Sequence, residues 1–298
     1  MTTTEITSAF KIIPEKKRTA DLVRKTGLFM LLLIFGLIVF VFGTSYSDRF
    51  ASNSSGLFKL ATSGIFFALV YVSGRFEKTK PFRSILFAFF IASFVNVVTW
   101  YFAVLVRDNM FNLLGISTAT IPGMTAAKLS EAILAVGTIL VLVKLSGDDL
   151  GSVYIKRGNL TWAMRIGFLA LLNLTATAFI ITSFMDRDIE SIIPNLPWFI
   201  VFALANGFME ELWFRGLFLG RLQPFFGESG AVWMKSIWFG VLHILAVYVS
   251  GIAALIFGGV AFTLGFTFAL LMQKTKTIWG ATIFHAAADL HWFIALGF

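Results

Sequence analysis

Six ionisable residues interrupt the most apolar part of the chain, and their types could carry out acid–base chemistry. In chain order they are Glu210, Glu211, Arg215, His243, His285 and Asp289. They fall on three of the last four hydrophobic stretches. Ionisable groups at membrane depth are costly and rare, so their presence indicates a function by default. Carboxylates and imidazoles together are the groups that activate water for hydrolysis, either directly or through a metal ion.

The spacing of these residues predicts which side chains share a helix face. Successive residues of an α-helix differ by about 100°, so Glu210 and Glu211 should point to different sides. Glu211 and Arg215 are four residues apart and can form an ion pair, which would leave Glu210 free to face a cavity. His285 and Asp289 have the same spacing, so Asp289 could orient the imidazole, ligate a metal or, if protonated, donate a hydrogen bond.

Each of these residues also has a purely structural interpretation. His243 alone could be a neutral imidazole bonded to a neighbouring helix, and the His285–Asp289 pair could be structural. Arg215 and its glutamate could likewise be a structural pair. Two adjacent acids in the middle of an apolar helix are too costly for this interpretation to be favoured. For the third histidine, His291, which follows Asp289 by two residues, we favour a packing role.

The composition indicates what kind of protein positions these groups. The chain has 298 residues, of which 58% are apolar and only 13% charged, too few charges to cover a soluble domain of this size. Its apolar runs are long enough to cross a bilayer as helices. We therefore expect an all-α, polytopic transmembrane helical bundle without a large soluble domain. The absence of cysteine excludes disulfides, thiolate catalysis and Cys-ligated zinc.

The distribution of positive charge predicts the topology. The net charge of +8 comes from basic residues in short loops, which favours contact with lipid headgroups and argues against a nucleic-acid partner. With the N-terminus in the cytoplasm, 18 of the 24 Lys and Arg residues fall on the cytoplasmic side. The nine predicted spans are 27–43, 57–74, 84–106, 129–146, 166–184, 198–222, 231–249, 252–273 and 277–297. The number falls to eight if the second of these, 57–74, lies in the membrane interface and does not cross the bilayer.

These spans suggest three parts of the chain: a basic cytoplasmic leader (1–26), N-terminal transmembrane helices (27–184) and a catalytic transmembrane core (198–298). Between the third and fourth spans, we expect the connection 107–128 to be long enough for an interfacial helix or a lid. Pro224 is expected to end the sixth span after Gln223. The eighth span holds several glycines and is interpreted as a scaffold.

Three short motifs resemble the CAAX protease and bacteriocin-processing family of intramembrane endopeptidases, also called the Abi family. The chain reads Glu210-Glu211-Leu-Trp-Phe-Arg215, then Phe239-Gly-Val-Leu-His243, then His285-Ala-Ala-Ala-Asp289. The family pattern is Glu-Glu-x-x-x-Arg, then Phe-x-x-x-His, then His-x-x-x-Asn or Asp on successive helices. Each motif is unspecific alone, but all three occur here in order. The resemblance covers about the last hundred residues, from 198 to 298.

The resemblance implies roles for these residues in hydrolysing a peptide bond. Glu210 is similar to the general base, which polarises a water together with His243. His285 and Asp289 are similar to the pair that stabilises the oxyanion, and Arg215 would hold Glu211 in place. The family often has Asn at the last position, and an ionised Asp289 would repel an oxyanion unless it is protonated or turned toward His285.

Metal dependence stays open at this point. Glu210, His243, His285 and Asp289 could supply the nitrogen and oxygen ligands of a catalytic zinc ion. The His-Glu-x-x-His signature of many zinc proteases is absent. The same residues can act without a metal, with a carboxylate as base and an imidazole as oxyanion donor. Between the glutamate-type and the metalloprotease mechanism, the metal-independent one is favoured.

The function expected from the resemblance is that of an intramembrane endopeptidase. It would cleave a membrane-associated or lipidated (CAAX-like) protein or peptide, with membrane lipids as its other partners. One alternative is a non-catalytic bacteriocin-immunity or scaffold membrane protein of the same fold. A proton- or ion-coupled transporter ranks third, because neither internal repeats nor broken helices are evident. We expect the location to be a prokaryotic plasma membrane.

Overall fold

The computed structural model describes residues 15–44, 55–117, 119–185, 189–245 and 251–296, and within these ranges the fold is all-helical. Parts of the predicted 1–26 leader lie outside the described residues. The helices are α1 (Glu15–Leu37), α2 (Ser55–Arg75), α3 (Arg83–Leu114), α4 (Ile121–Leu145), α5 (Leu160–Phe184), the one-turn α6 (Ile189–Ile192), α7 (Leu196–Glu210), α8 (Leu219–Ile244), α9 (Ile252–Thr275) and α10 (Trp279–Leu296). A π-helical turn over Ile38–Phe42 extends α1, and a second one, Glu211–Gly216, follows α7 and is called the π segment below.

Six helices in the described part of the chain are long and apolar enough to cross a membrane, and they contain α1, α2, α3, α4, α5 and α9. The prediction of an all-helical membrane protein is therefore confirmed. Each of the nine predicted spans overlaps one of the long helices. The three stretches that carry the candidate site correspond to α7 with the π segment, α8 and α10, which are not among the six. All three stretches carry ionisable residues, and two of them are interrupted: α7 passes into the π segment, and α8 is kinked at Gly227.

The connection between the third and fourth helices is much shorter than we predicted. In place of a loop over 107–128, α3 continues to Leu114 and α4 begins at Ile121. Gly115, with φ of 64°, ends α3 in the left-handed conformation that suits glycine. The Thr120 side chain accepts a hydrogen bond from the Gly123 backbone at 3.1 Å and caps α4. Both helices thus continue through polar residues beyond their apolar runs.

The prediction that the chain stops being helical after Gln223 is also wrong. The helical turns that begin at Leu219 continue through Pro224, and the break falls at Gly227, whose φ of 71° and ψ of −179° are not helical. Pro224, in the second turn of α8, lacks the backbone N–H that would bond to the Gly220 carbonyl, and yet the helical turns continue past it. The kink at Gly227 therefore separates a short first segment of α8 from the longer second segment that carries His243.

Close packing of small residues positions the helices that carry the site. α10 packs against α5 and α7, and α8 packs against α9. A Cβ on Gly207 would lie 3.0 Å from the Thr282 carbonyl of α10, so α7 and α10 approach each other with almost no side chain between them. Gly258 of α9 similarly faces the Gly240 backbone of α8. The resulting close contacts fix the relative rotation of the helices and hence the direction of their polar side chains.

An aromatic cluster forms the centre of the larger hydrophobic core. Phe40, at the end of α1, stacks on Phe214 of the π segment at 4.3 Å between ring centroids. Phe218 and Trp238 also contact the Phe40 ring. The Trp238 indole donates to the Leu33 carbonyl at 2.9 Å, which attaches α8 to α1. The first helix and its π-helical extension thus support the π segment directly.

Candidate active site

The site begins where α7 changes into the π segment. Glu210 is the last residue of α7, and Glu211 is the first of the six residues of the π segment, which ends at Gly216. The sequence had predicted one continuous α-helix across this region. π-Helical turns are rare and occur frequently at functional sites. Here the wider turn falls on the segment that contains the second acid and Arg215.

Arg215 and Glu211 form a fully buried ion pair, as their spacing predicts. Both side chains have no exposed surface, and an Arg215 Nη1–H donates to Glu211 Oε1. The guanidinium also donates from Nε to the Gly265 carbonyl of α9 at 3.3 Å and lies 4.4 Å from the centre of the Phe239 ring. A Cβ at Gly265 would lie 3.1 Å from Arg215 Nη2, so glycine there gives the guanidinium its space. α9, expected to be only a scaffold, therefore contributes to the site.

His285 lies between three carboxylates. Its Nδ1 donates to Glu211 Oε1 at 2.8 Å, and its Nε2 lies 3.6 Å from Glu210 Oε2 and 3.8 Å from Asp289 Oδ1. The ring stacks on Phe268 of α9, with centroids 5.0 Å apart and planes 18° apart. The expectation that Glu211 serves Arg215 alone is therefore incomplete, because the same oxygen accepts from His285. The two adjacent acids contact opposite nitrogens of one imidazole.

Asn206 is a member of this cluster that was not predicted as a site residue. It lies one turn before Glu210 on α7, and its Nδ2 donates to Asp289 Oδ2 at 3.0 Å. The amide oxygen Oδ1 is buried and has no hydrogen-bond partner among the described residues. The four-residue spacing from Glu210 was the signal that could have identified it. This bond fixes one oxygen of Asp289 toward α7, while the other faces His285.

His243 lies near this cluster but has a different set of contacts. Its Nδ1 donates to the Phe239 carbonyl at 2.7 Å, one turn earlier on α8. Because a carbonyl only accepts, this bond assigns the proton to Nδ1 and leaves Nε2 of the neutral ring with a lone pair. Phe239 contacts both imidazoles, with centroids 4.2 Å from His243 and 5.7 Å from His285. Within the described residues, neither a hydrogen bond nor an ion pair joins His243 to Glu210.

Glu210, Glu211 and Asp289 thus surround His285, and His243 contacts the same Phe239 ring as His285 does. The third histidine is separate from this cluster. His291 donates from Nδ1 to the Leu174 carbonyl of α5 at 2.9 Å, a contact that connects two helices. Its packing role is consistent with the interpretation from the sequence.

The arrangement does not match a metal site. In the described part of the chain, no group of three or more His, Asp or Glu side chains is placed so that it could hold a metal ion. Glu210, His243, His285 and Asp289 are therefore not arranged to hold a zinc ion in this structure, and the chemistry is derived below from the side chains alone.

The fold and the site together define a class: an all-helical membrane protein with a buried cluster of carboxylates and imidazoles. Residues 192–291 match the family model described as type II CAAX prenyl endopeptidase Rce1-like. The match covers about a third of the chain and bears out the predicted resemblance to CAAX-type proteases over these residues. No curated protein and no solved structure matches the chain. The matched segment contains all seven residues that define the three motifs.

Proposed function

We propose that this protein is an intramembrane endopeptidase that hydrolyses a peptide bond in a membrane-associated or lipidated, CAAX-like substrate. The single observation that carries the proposal is the placement of His285 between Glu210 and Glu211 in a buried, apolar surrounding. A site built only for packing has no need of three carboxylates around one imidazole, because buried charges are costly. The family match supports the same class of reaction.

Glu210 is the proposed general base. Its side chain is only 15% exposed, and its buried oxygen Oε2 has no hydrogen-bond partner in the described part of the chain, so it can accept a proton from water. The water oxygen then forms a bond to the carbonyl carbon of the substrate. The proton taken up by Glu210 passes to the amine as the carbon–nitrogen bond breaks. His243, with its lone pair on Nε2, is the second group proposed to orient the water.

His285 is the proposed donor to the developing oxyanion. The role requires the imidazolium form, which the surrounding carboxylates stabilise: Nδ1–H then donates to Glu211 while Nε2–H is directed toward the developing negative charge. Asp289 would not donate to the oxyanion itself. Its contacts with Asn206 and His285 support the alternative that it is turned toward the imidazole and orients it. On this reading the aspartate at the position where the family often has asparagine is a positioning residue.

We also propose nine membrane spans, with the N-terminus in the cytoplasm, and a prokaryotic plasma membrane as the location. The distribution of Lys and Arg supports the orientation. The overlap of each predicted span with a long helix supports the number. Helices of 27–184 would form the N-terminal part, and 198–298 the catalytic core.

The test uses purified protein in detergent, a peptide with a prenylated cysteine near its carboxyl terminus, and the Glu210→Gln variant. Removing the base while keeping its shape should lower kcat by about 100- to 10,000-fold and leave the unfolding midpoint unchanged. The matched control is Glu228→Gln, which alters an exposed glutamate at the kink of α8 and should leave activity unchanged. Full activity of Glu210→Gln would overturn the mechanism. A wild-type protein that cleaves no lipidated peptide would favour a non-catalytic role.

A further inference from the structure

A partly exposed pair of charged residues on α4 lies next to the site and has no part in the chemistry described above. α4 packs along α7, and the Thr125 hydroxyl donates to the Trp198 carbonyl at 3.2 Å, which connects the two helices. One turn further along α4, Lys128 Nζ lies 2.7 Å from Glu131 Oε2. The ammonium is also 5.8 Å from the centre of the Phe202 ring on α7. Lys128 is therefore held against the helix that carries Glu210.

Because α4 packs along α7, the positive charge of Lys128 should attract the carboxylates of Glu210 and Asp289, and the negative charge of Glu131 should repel that of Glu210. Arg215, the cation inside the site, is fully buried and bonded to Glu211. The side chains become more exposed with distance from the base, from 15% at Glu210 to 21% at Asp289 and at Lys128, and 35% at Glu131. Lys128 and Glu131 are thus partly exposed, whereas Glu210 is mostly buried.

This electrostatic arrangement matters for any peptide that carries a free carboxyl terminus. Such a terminus would be repelled by Glu210 and Asp289 unless a cation near them compensates. An ammonium offers three donors, and its partly exposed bond to Glu131 contributes little stability, so a second carboxylate can share or replace it. Phe202, next to Lys128, precedes Glu210 by eight residues, or about 12 Å along the helix axis. That distance leaves room for a short stretch of extended peptide.

We propose that Lys128 binds the free carboxyl-terminal carboxylate of the peptide substrate, and that Glu131 competes with this carboxylate for the ammonium. The inference rests on the proposed endopeptidase function and adds a substrate property: a requirement for an unblocked carboxyl terminus. A lipid phosphate could also contact an exposed ammonium. It would not, however, make hydrolysis depend on the chemistry of the peptide terminus.

The experiment compares two prenylated peptides of identical sequence, one with a free carboxyl terminus and one with a terminal amide. For the wild type we expect kcat/KM to be about 10- to 100-fold higher for the free acid. In Lys128→Met the ratio of kcat/KM for the acid to kcat/KM for the amide should fall to near one. Lys128→Arg, which keeps the positive charge, should retain most of the wild-type ratio. In Glu131→Gln the ratio should rise. The matched control is Lys144→Met, the same change at an exposed position of the same helix, which should leave both rates unchanged.

The outcomes separate the inference from the proposed function. If the wild type cleaves both peptides equally well, Lys128 does not bind the terminus, although the endopeptidase function stands. If Lys128→Met lowers both rates by one factor, so that the ratio is unchanged, the lysine has only a structural role. If neither peptide is cleaved, and Glu210→Gln behaves like the wild type, the proposed function fails together with the inference that depends on it.

Discussion

Glu211 offers the sharpest test of the site, because one of its oxygens accepts from both Arg215 and His285. Glu211→Leu alone should cost about 3–5 kcal/mol of unfolding free energy, since it leaves the buried guanidinium without its counter-charge. Arg215→Met alone should cost a similar amount, because Glu211 then remains as an uncompensated buried charge. The double variant removes both charges, so its main remaining cost is the unpaired Nδ1 of His285, about 1–3 kcal/mol. The double variant should therefore be more stable than either single variant.

Activity should follow a different pattern. Hydrolysis of the prenylated peptide should stay at least about 100-fold below wild type in the double variant, because His285 has lost the carboxylate that orients it. Denaturant unfolding in detergent gives the stabilities, and steady-state kinetics gives kcat. As a control, the exposed pair of Glu77 and Lys80 should show a coupling below about 1 kcal/mol in the same cycle. Recovery of both stability and kcat in the double variant would refute the positioning role of Glu211.

Two further predictions concern the polar residues around this centre. Asn206→Asp should place a second carboxylate against Asp289 and lower kcat at least about tenfold, and the exchanged variant Asn206→Asp with Asp289→Asn should recover much of that loss. A failure of the exchange to recover activity, measured over a range of pH, would show that the 3.0 Å bond between the two side chains is not what matters. Lys235 is buried 3.5 Å from the Trp238 ring, and its Nζ has no hydrogen-bond partner in the described part of the chain. Lys235→Met should raise the unfolding free energy by about 1 kcal/mol or more at unchanged activity, and a loss of stability would instead show that the cation–π contacts outweigh the desolvation cost.

Local spacing predicted the features of the site that depend on one helix. The Glu211–Arg215 pair and the shared face of His285 and Asp289 follow from the four-residue repeat, and both are present. Contacts between helices were not predictable in the same way. That His285 meets Glu211 depends on how α10 is rotated against α7, which is set by the close approach at Gly207. A single sequence contains no direct measure of that rotation.

Errors in the helix bounds have a related cause. The prediction placed helix ends where the apolar runs end, so the third span stopped before Arg107 and the fourth began only after Lys128. The helices in fact continue through these polar residues: α3 extends to its C-cap at Gly115, and α4 begins directly after its N-cap at Thr120. Lys128 was consequently assigned to a loop, and its position beside the site was missed. Backbone hydrogen bonds and caps, more than hydropathy, decide where these helices end.

Two adjacent acids that should point apart, Glu210 and Glu211, both contact one imidazole. In a regular α-helix, Glu210 and Glu211 diverge by about 100°, so a third group lying between them would contact each from a different side. The ring of His285 provides such a group, because its two nitrogens face in different directions and one can serve each acid. The helix widens from Glu211 onward, and Arg215 pairs with the same oxygen that accepts from His285. The adjacent acids therefore have different tasks: Glu211 holds the imidazole, and Glu210 is free for the proton transfer that hydrolysis requires.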